Sequence, residues 1–261
     1  MVSPRPAPTF PIDAADLVAG LGRGLTVLEA FDDEHWRMTI AAAAQRTAIP
    51  RSAVRRHLLS LCHFGYVETD GRQFWLGPRM LRLGQGYLDA ARLPRLTRPF
   101  IHTLSVATGE TVNVSALDGH EVVYLARSNT PRVVSIGFHA GARAPAHTVS
   151  PGSVLVAALD TRARAAWLDE HDFAAFTART VTTRAAFARQ VRAAGDQGYW
   201  ISQGQLDAGL TGVAVALHDR RARCRAAISM TVQSQAWPIE RIEADLLPRL
   251  RETAGLLRPI L

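Results

Sequence analysis

The sequence predicts an α+β chain: a small helical head closed by a β-hairpin, then a linker helix, then a larger domain of helices over an antiparallel sheet. Three observations predict it. Helical apolar spacing over residues 14–64 gives way at once to two short strand-like runs around a turn. A proline-opened helical stretch follows. From about residue 96, short apolar runs around the turns Asp118-Gly119-His120 and Asp219-Arg220-Arg221 alternate with amphipathic helices.

Residues 1–16 open with a proline-rich segment and read as a disordered tail. Ala14 to Phe31 reads as a helix, with Leu21, Leu25 and Leu28 at helical spacing. After a polar break, Thr39 is placed to cap a short helix, Ile40 to Arg46. A turn through Pro50 leads into a third helix, Arg51 to Phe64, with Val54, Leu58 and Leu61 on one face and Gly65 as its stop. Tyr66 to Thr69 and Gln73 to Leu76 read as a hairpin about Asp70-Gly71-Arg72. Helix, turn, helix and hairpin in this order make a winged helix-turn-helix over 17–77. Met80 to Ala91 forms a linker helix, within a linker over 78–95.

The remaining domain, 96–261, begins with a helix from Pro99 to Ala107. Strands follow at Glu110 to Leu117, Glu121 to Ser128 and Val133 to Phe138. A small-residue helix runs from Ser153 to Leu159, and an amphipathic one from Arg184 to Gly195. Two more strands, Gly212 to Leu217 and Arg225 to Val232, precede a last helix, Ile239 to Leu257. A domain of this kind is of a size to hold one ligand pocket.

Composition narrows the function. The formal net charge is +7, and every basic side chain is arginine, which suits phosphate and guanine geometry. Cys62 and Cys224 are too few for a disulfide framework, and no cysteine–histidine cluster exists; both are expected to be buried thiols in a reducing cytoplasm. No apolar run approaches the roughly 18 residues of a membrane span. A cytoplasmic chain without metal or cofactor, and without membrane partner, is expected.

The sharpest chemistry lies on the third helix. Arg51, Ser52, Arg55, Arg56 and His57 fall off its apolar face. Arg51 and Arg55 are one turn apart, so both can enter a groove, where an arginine grips guanine in bidentate fashion. Arg72 at the hairpin tip and Thr39 at the start of the second helix are placed to meet phosphates. A solvated basic face is the plain alternative; the elements on either side favour double-stranded DNA.

These residues resemble the IclR family of transcriptional regulators. The resemblance runs from about Leu17 to Leu257 and rests on Gly22 to Glu29, Ile49 to Leu59, Gly65 to Val67, Ala144 to Gly152, Gly198-Tyr199, Gln203 to Val213 and Ala226 to Thr231. Ser52 to Leu59, Leu76 to Gly84, Tyr124 to Arg127 and Arg132 to Ile136 are similar to the branch that controls protocatechuate and p-hydroxybenzoate catabolism through the β-ketoadipate route. The chain departs from that branch at Gln205 and Thr211, where an acidic residue and an arginine are usual, and at Pro151-Gly152-Ser153.

The resemblance implies a GAF-like effector domain and a regulator of a catabolic operon that senses a small organic acid, aromatic or dicarboxylic. It implies a homodimer, with association of dimers into tetramers. Carried over residue by residue, it implies a pocket built by Ala144, Ser150, Pro151, Ser202, Leu210, Gly212, Ser229 and Thr231. Ser150 to Ser153, at a loop-to-helix junction, suits a carboxylate, and His147 and Arg127 are placed to add positive charge. Two other functions stay open. An enzyme lacks its usual marks here, since no GxSxG, P-loop, HExxH or dinucleotide fingerprint occurs and no catalytic residue is assigned. A sequence-blind DNA-binding protein has no need of so large an apolar domain.

Overall fold

The computed structural model describes residues 12–128 and 139–261. They form two compact units that divide between Tyr87 and Leu88.

The first unit contains α1 (Ala19–Glu29), α2 (Ile40–Thr47), α3 (Arg51–His63) and the hairpin β1 (Val67–Thr69) and β2 (Phe74–Leu76). Thr39 caps α2, its hydroxyl accepting from the Ala42 amide at 3.2 Å. Gly65 ends α3 at φ 78°, and the Gly65 and Tyr66 amides turn back to the Cys62 and Leu61 carbonyls, both at 2.9 Å. That double bond is a Schellman stop, and it needs the left-handed backbone only glycine adopts without strain. Val27, Met38, Val54, Leu58 and Phe74 close the core. Met38 exchanges backbone bonds of 3.0 and 2.8 Å with Phe74, which fastens the hairpin to the segment before α2.

The expected first helix is shorter than read, and its register is corrected. Val27 and Leu28 are buried, but Leu21 and Leu25 are exposed. The core of so small a unit reaches only the C-terminal half of α1. Of the tail expected over 1–16, residues 1–11 lie outside the described residues, and Ala14–Asp16 form one 3-10 turn.

A 3-10 turn, Pro78–Met80, leads into α4 (Leu81–Ala90), and α5 (Arg92–Thr108) follows after one extended residue, Ala91. The expected linker over 78–95 is therefore two helices. α5 starts earlier than read because Pro94 sits in its first turn, where a missing N–H costs nothing.

The second unit is built on a six-stranded antiparallel sheet in the order β5-β4-β3-β8-β7-β6. The strands are β3 (Thr111–Asp118), β4 (Glu121–Ser128), β5 (Arg143–Pro145), β6 (Tyr199–Gln203), β7 (Leu210–His218) and β8 (Cys224–Gln233). On one face, Val112, Val114, Val213, Val215, Ile228 and Met230 pack with Ile101 and Leu104 of α5 and with Leu250 and Leu257 of α10 (Leu247–Leu257). On the other face, Tyr124, Ala214 and Ala227 meet α6 (Ser150–Ala157), α7 (Thr161–Glu170) and α8 (Arg184–Gln197).

Several boundaries differ from the sequence reading. α6 begins at Ser150 rather than Ser153, because Pro151 presets its first turn. α8 runs through Gly195 and stops at Gly198. The last helix is interrupted: α9 (Ile239–Arg241) and α10 are joined by a π-helical segment, Ile242–Leu246. Pro248 at its end cannot donate, so the regular bonding ladder breaks there. β5, β6 and α7 were not foreseen. The strand expected at Val133 to Phe138 lies outside the described residues. No helix among the described residues is long and apolar enough to cross a membrane.

Candidate nucleic-acid interface and ligand cavity

Val54 and Leu58 bury one side of α3, while Arg51, Ser52, Arg55 and Arg56 make up its exposed face. His57 is not part of that face. It is half-buried beside α1, where a methyl added to Gly24 would lie 3.7 Å from its Nδ1. Its side chain is therefore less open to DNA than the arginines of this helix.

Arg72 is exposed at the hairpin tip. Asp70 shapes that tip, its carboxylate accepting from the Gln73 amide at 2.7 Å and the Arg72 amide at 2.9 Å. Those two backbone bonds hold its carboxyl below the usual carboxylate range. Thr39 is half-buried, with its hydroxyl used in the α2 cap. Arg37 was missed by sequence reasoning. Its guanidinium lies 4.1 Å from the Trp75 ring centre and 4.8 Å from that of Trp36. Trp75 in turn donates to Glu68 at 3.0 Å, so Arg37 braces the wing from an exposed position.

In the second unit, a cavity of about 420 Å³ opens between the sheet and the start of α6. Of the residues expected there, Ser150, Pro151, Ser202, Leu210, Gly212 and Thr231 line it. Tyr124, Thr148, Val149, Gln205, Leu206 and Asp207 complete the wall. Gly212 leaves room for Ser150: a Cβ there would lie 2.8 Å from the Ser150 hydroxyl. That hydroxyl is buried and has no hydrogen-bond partner among the described residues. Ser202 donates to the Thr148 carbonyl at 3.0 Å and ties β6 to the turn before α6. The loop after β6 is held by Thr177 and Thr180, whose hydroxyls each donate at 2.6 Å, to the Gly204 and Gln205 carbonyls. The Gln205 amide donates to Gln190 at 3.4 Å, and Gln190 to Ser153 at 2.7 Å.

Among the described residues, no arginine or histidine lines the cavity. The Ser150 hydroxyl and the N-terminal end of α6 are the groups there that suit a carboxylate. Thr211, which stands where the resembled branch has arginine, is fully buried and shares a 2.8 Å hydrogen bond with Ser234. A larger open depression of about 680 Å³ lies elsewhere on the unit. Its Arg223 is paired with Asp219, and its Arg220 donates to the Pro259 carbonyl.

Four expected pocket residues do not line the cavity. Ala144 is buried in β5, paired with Val122. Ser229 is buried on the cavity-side face of β8, two residues from Thr231. Arg127 lies on the same face, opposite Asn113. His147 is the clear correction: it is fully buried and supplies no charge. Its Nε2 donates to the Ala174 carbonyl at 3.0 Å. Its Nδ1 lies 2.7 Å from His171 Nε2, and His171 Nδ1 lies 3.1 Å from His120 Nδ1.

Only one proton order satisfies all three contacts with neutral rings: His120 donates to His171, His171 to His147, and His147 to the carbonyl. Burial, then the neighbouring His147 and His120, push the His171 pKa down to about 3. Burial also lowers His147 and His120. The folded state thus binds fewer protons than the unfolded chain below pH 6.5, the ordinary histidine value. This stability is complete above pH 6.5 and is lost as the pH falls from there towards 3. Urea unfolding against pH is expected to show a decline of up to about 1.4 kcal/mol per pH unit from His171. His171→Gln is expected to flatten that slope; an unchanged slope would show that the chain titrates elsewhere.

Comparison with known proteins agrees with this architecture. Residues 20–71 match the IclR helix-turn-helix domain, and residues 85–257 match the bacterial transcriptional regulator IclR C-terminal family. A Pca operon regulatory protein of Acinetobacter baylyi is 36% identical over 94% of this chain and 90% of its own length. A p-hydroxybenzoate hydroxylase transcriptional activator of the same organism is 35% identical over 95% of this chain and 93% of its own. A crystal structure of an IclR homolog complexed with 4-hydroxybenzoate, from Microbacterium hydrocarbonoxydans, superposes with TM-score 0.68 at 26% identity, covering 90% of this chain and 96% of that one. The head with its exposed arginines and the sheet domain with its cavity are matched together and in order, and the chain belongs to the IclR family of bacterial transcriptional regulators.

Proposed function

We propose that the chain regulates an aromatic-acid catabolic operon, binding operator DNA through α3 and the hairpin and sensing a hydroxybenzoate-like acid in the cavity beside α6. The buried, unpartnered Ser150 hydroxyl at the start of that helix carries the ligand assignment. The relatives named for p-hydroxybenzoate and Pca regulation, and the 4-hydroxybenzoate-bound structure, support the same ligand class. The cavity suits one small aromatic acid. Ser150 and the Gln205 amide receive its carboxylate, while Leu206 and Leu210 pack on its ring.

The working unit is a homodimer, able to pair further into tetramers, in the cytoplasm where the DNA is. Leu17, Val18, Leu21 and Leu25 leave an exposed apolar stripe on and before α1, which a second copy covers. Two heads related by two-fold symmetry match two operator half-sites. Ligand acts only through its different affinity for the DNA-bound and free arrangements.

Titration calorimetry of the full chain with 4-hydroxybenzoate, protocatechuate and β-ketoadipate tests the ligand class. Binding of at least one aromatic acid, lost in Gly212→Val, is the expected result. No binding by any of the three would reject it.

A further inference from the structure

We propose that Asn113, with Ser115 and Ser229, forms a second polar anchor buried in the sheet beside the ligand cavity, and that Asn113 selects effectors carrying a neutral hydroxyl remote from the carboxylate. The inference rests on the aromatic-acid reading above and names a specificity determinant for it.

Val112 and Val114 of β3 belong to the core on the α5 and α10 side of the sheet, so Asn113 and Ser115 point to the opposite side, towards α6. Across the ladder, Asn113 faces Ser229 on one side and Arg127 on the other, and Ser115 faces Ala227 on one side and Tyr124 on the other. The cavity touches Tyr124 on β4 and Thr231 on β8. This polar group lies between those two residues on the same face of the sheet.

Asn113 and Ser115 are 0% exposed and Ser229 is 2% exposed. Neither amide atom of Asn113, nor the hydroxyl of Ser115 or Ser229, has a hydrogen-bond partner among the described residues. A buried amide with both ends unmade is costly, and such groups are normally satisfied by water or ligand. Here four unmet polar atoms converge beside a cavity that already receives an acid.

The chemistry favours a hydroxyl. Asn113 offers one acceptor and one donor group, and each serine offers both. A phenolic hydroxyl both donates and accepts, so it can meet the two ends of the amide. A second carboxylate only accepts, so it would leave the Asn113 oxygen unpaired, and Arg127 opposite Asn113 already has a partner of its own. An apolar ring edge satisfies neither end.

Calorimetry on the full chain with benzoate, 4-hydroxybenzoate and terephthalate tests this. The wild type is expected to prefer 4-hydroxybenzoate over benzoate by roughly ten- to a hundredfold, with terephthalate weakest. Asn113→Leu keeps the side-chain size but removes both polar atoms. It is expected to bring 4-hydroxybenzoate and benzoate within about threefold, mainly by weakening the former. Ser229→Ala is the milder second variant, expected to narrow the preference in the same direction even if Asn113→Leu does not fold. Equal discrimination in wild type and Ser229→Ala, or tighter binding of terephthalate than of 4-hydroxybenzoate, would overturn the anchor while leaving the aromatic-acid reading intact. Failure of the wild type to bind any aromatic acid, including protocatechuate, would overturn both.

Discussion

Gly152→Ala is expected to unfold or severely loosen the second unit. A Cβ at this position would lie 1.9 Å from the Ala146 carbonyl oxygen and 2.5 Å from its carbon. Both are backbone atoms, in the 3-10 turn Ala146–Thr148 that feeds α6, so no side chain can move aside. That turn is pinned by the buried His147 contact with Ala174 and by the Ser202 bond to Thr148. Relieving the clash requires moving α6 off the sheet, together with Ser150 and Pro151 at the cavity. The loss is expected to be about 3 kcal/mol or more, or roughly 6–12 °C in Tm for a unit of this size, with ligand binding abolished. Gly195→Ala is the matched control. Its added methyl meets only the Ala157 Cβ at 3.7 Å, in a helix interior, and is expected to leave Tm unchanged or raise it. Thermal unfolding of the two variants side by side checks this; equal Tm values would show that the Ala146–Gly152 approach is not tight.

Arg55→Ala is expected to weaken operator binding by about 1–3 kcal/mol, tenfold to hundredfold, while Tm and acid affinity stay unchanged. Arg55 is exposed on α3. Its removal therefore leaves the Val54–Leu58 core and the Gly65 stop untouched. If Arg55 reads a guanine, the loss is specific to the operator and the salt dependence hardly changes. If it holds a phosphate, affinity falls on every sequence and the salt slope drops by about one. Fluorescence anisotropy with operator and with scrambled duplex, each over a salt series, separates these. Unchanged operator affinity would remove α3 from the interface.

The head was legible because its signals are local. Thr39 as a cap, Val54 and Leu58 at one turn, Gly65 as a stop and Asp70-Gly71 as a turn each act within a few residues. Leu21 and Leu25 misled for the converse reason. Their spacing is helical, but which stripe of a helix is buried depends on what packs on it. α7 went unseen because only Trp167 and Leu168 of its ten residues are buried, so it has almost no apolar period. β6 is a five-residue edge strand that pairs with the next strand, β7, but the longer connection between them carries no short hairpin signal. The cavity was legible only through resemblance, which named Ser150, Ser202, Gly212 and Thr231, residues that line it from α6 and from the sheet. Tyr124 and Gln205 stood in the resembling segments but were not assigned to the pocket. His147 looked like a cation in the sequence, and only its burial and its contacts with His171 and the Ala174 carbonyl show it to be neutral and structural.

Coupling between the two units is the heart of a ligand-responsive regulator, and one titration measures it. Operator affinity of the full chain is read by anisotropy at fixed salt, on the intergenic DNA beside its own gene, without acid and with saturating 4-hydroxybenzoate or protocatechuate. A change of about fivefold or more in either direction is expected, with the acid's own affinity shifting by the same factor when operator is present. Identical operator affinity with the acid demonstrably bound would contradict it.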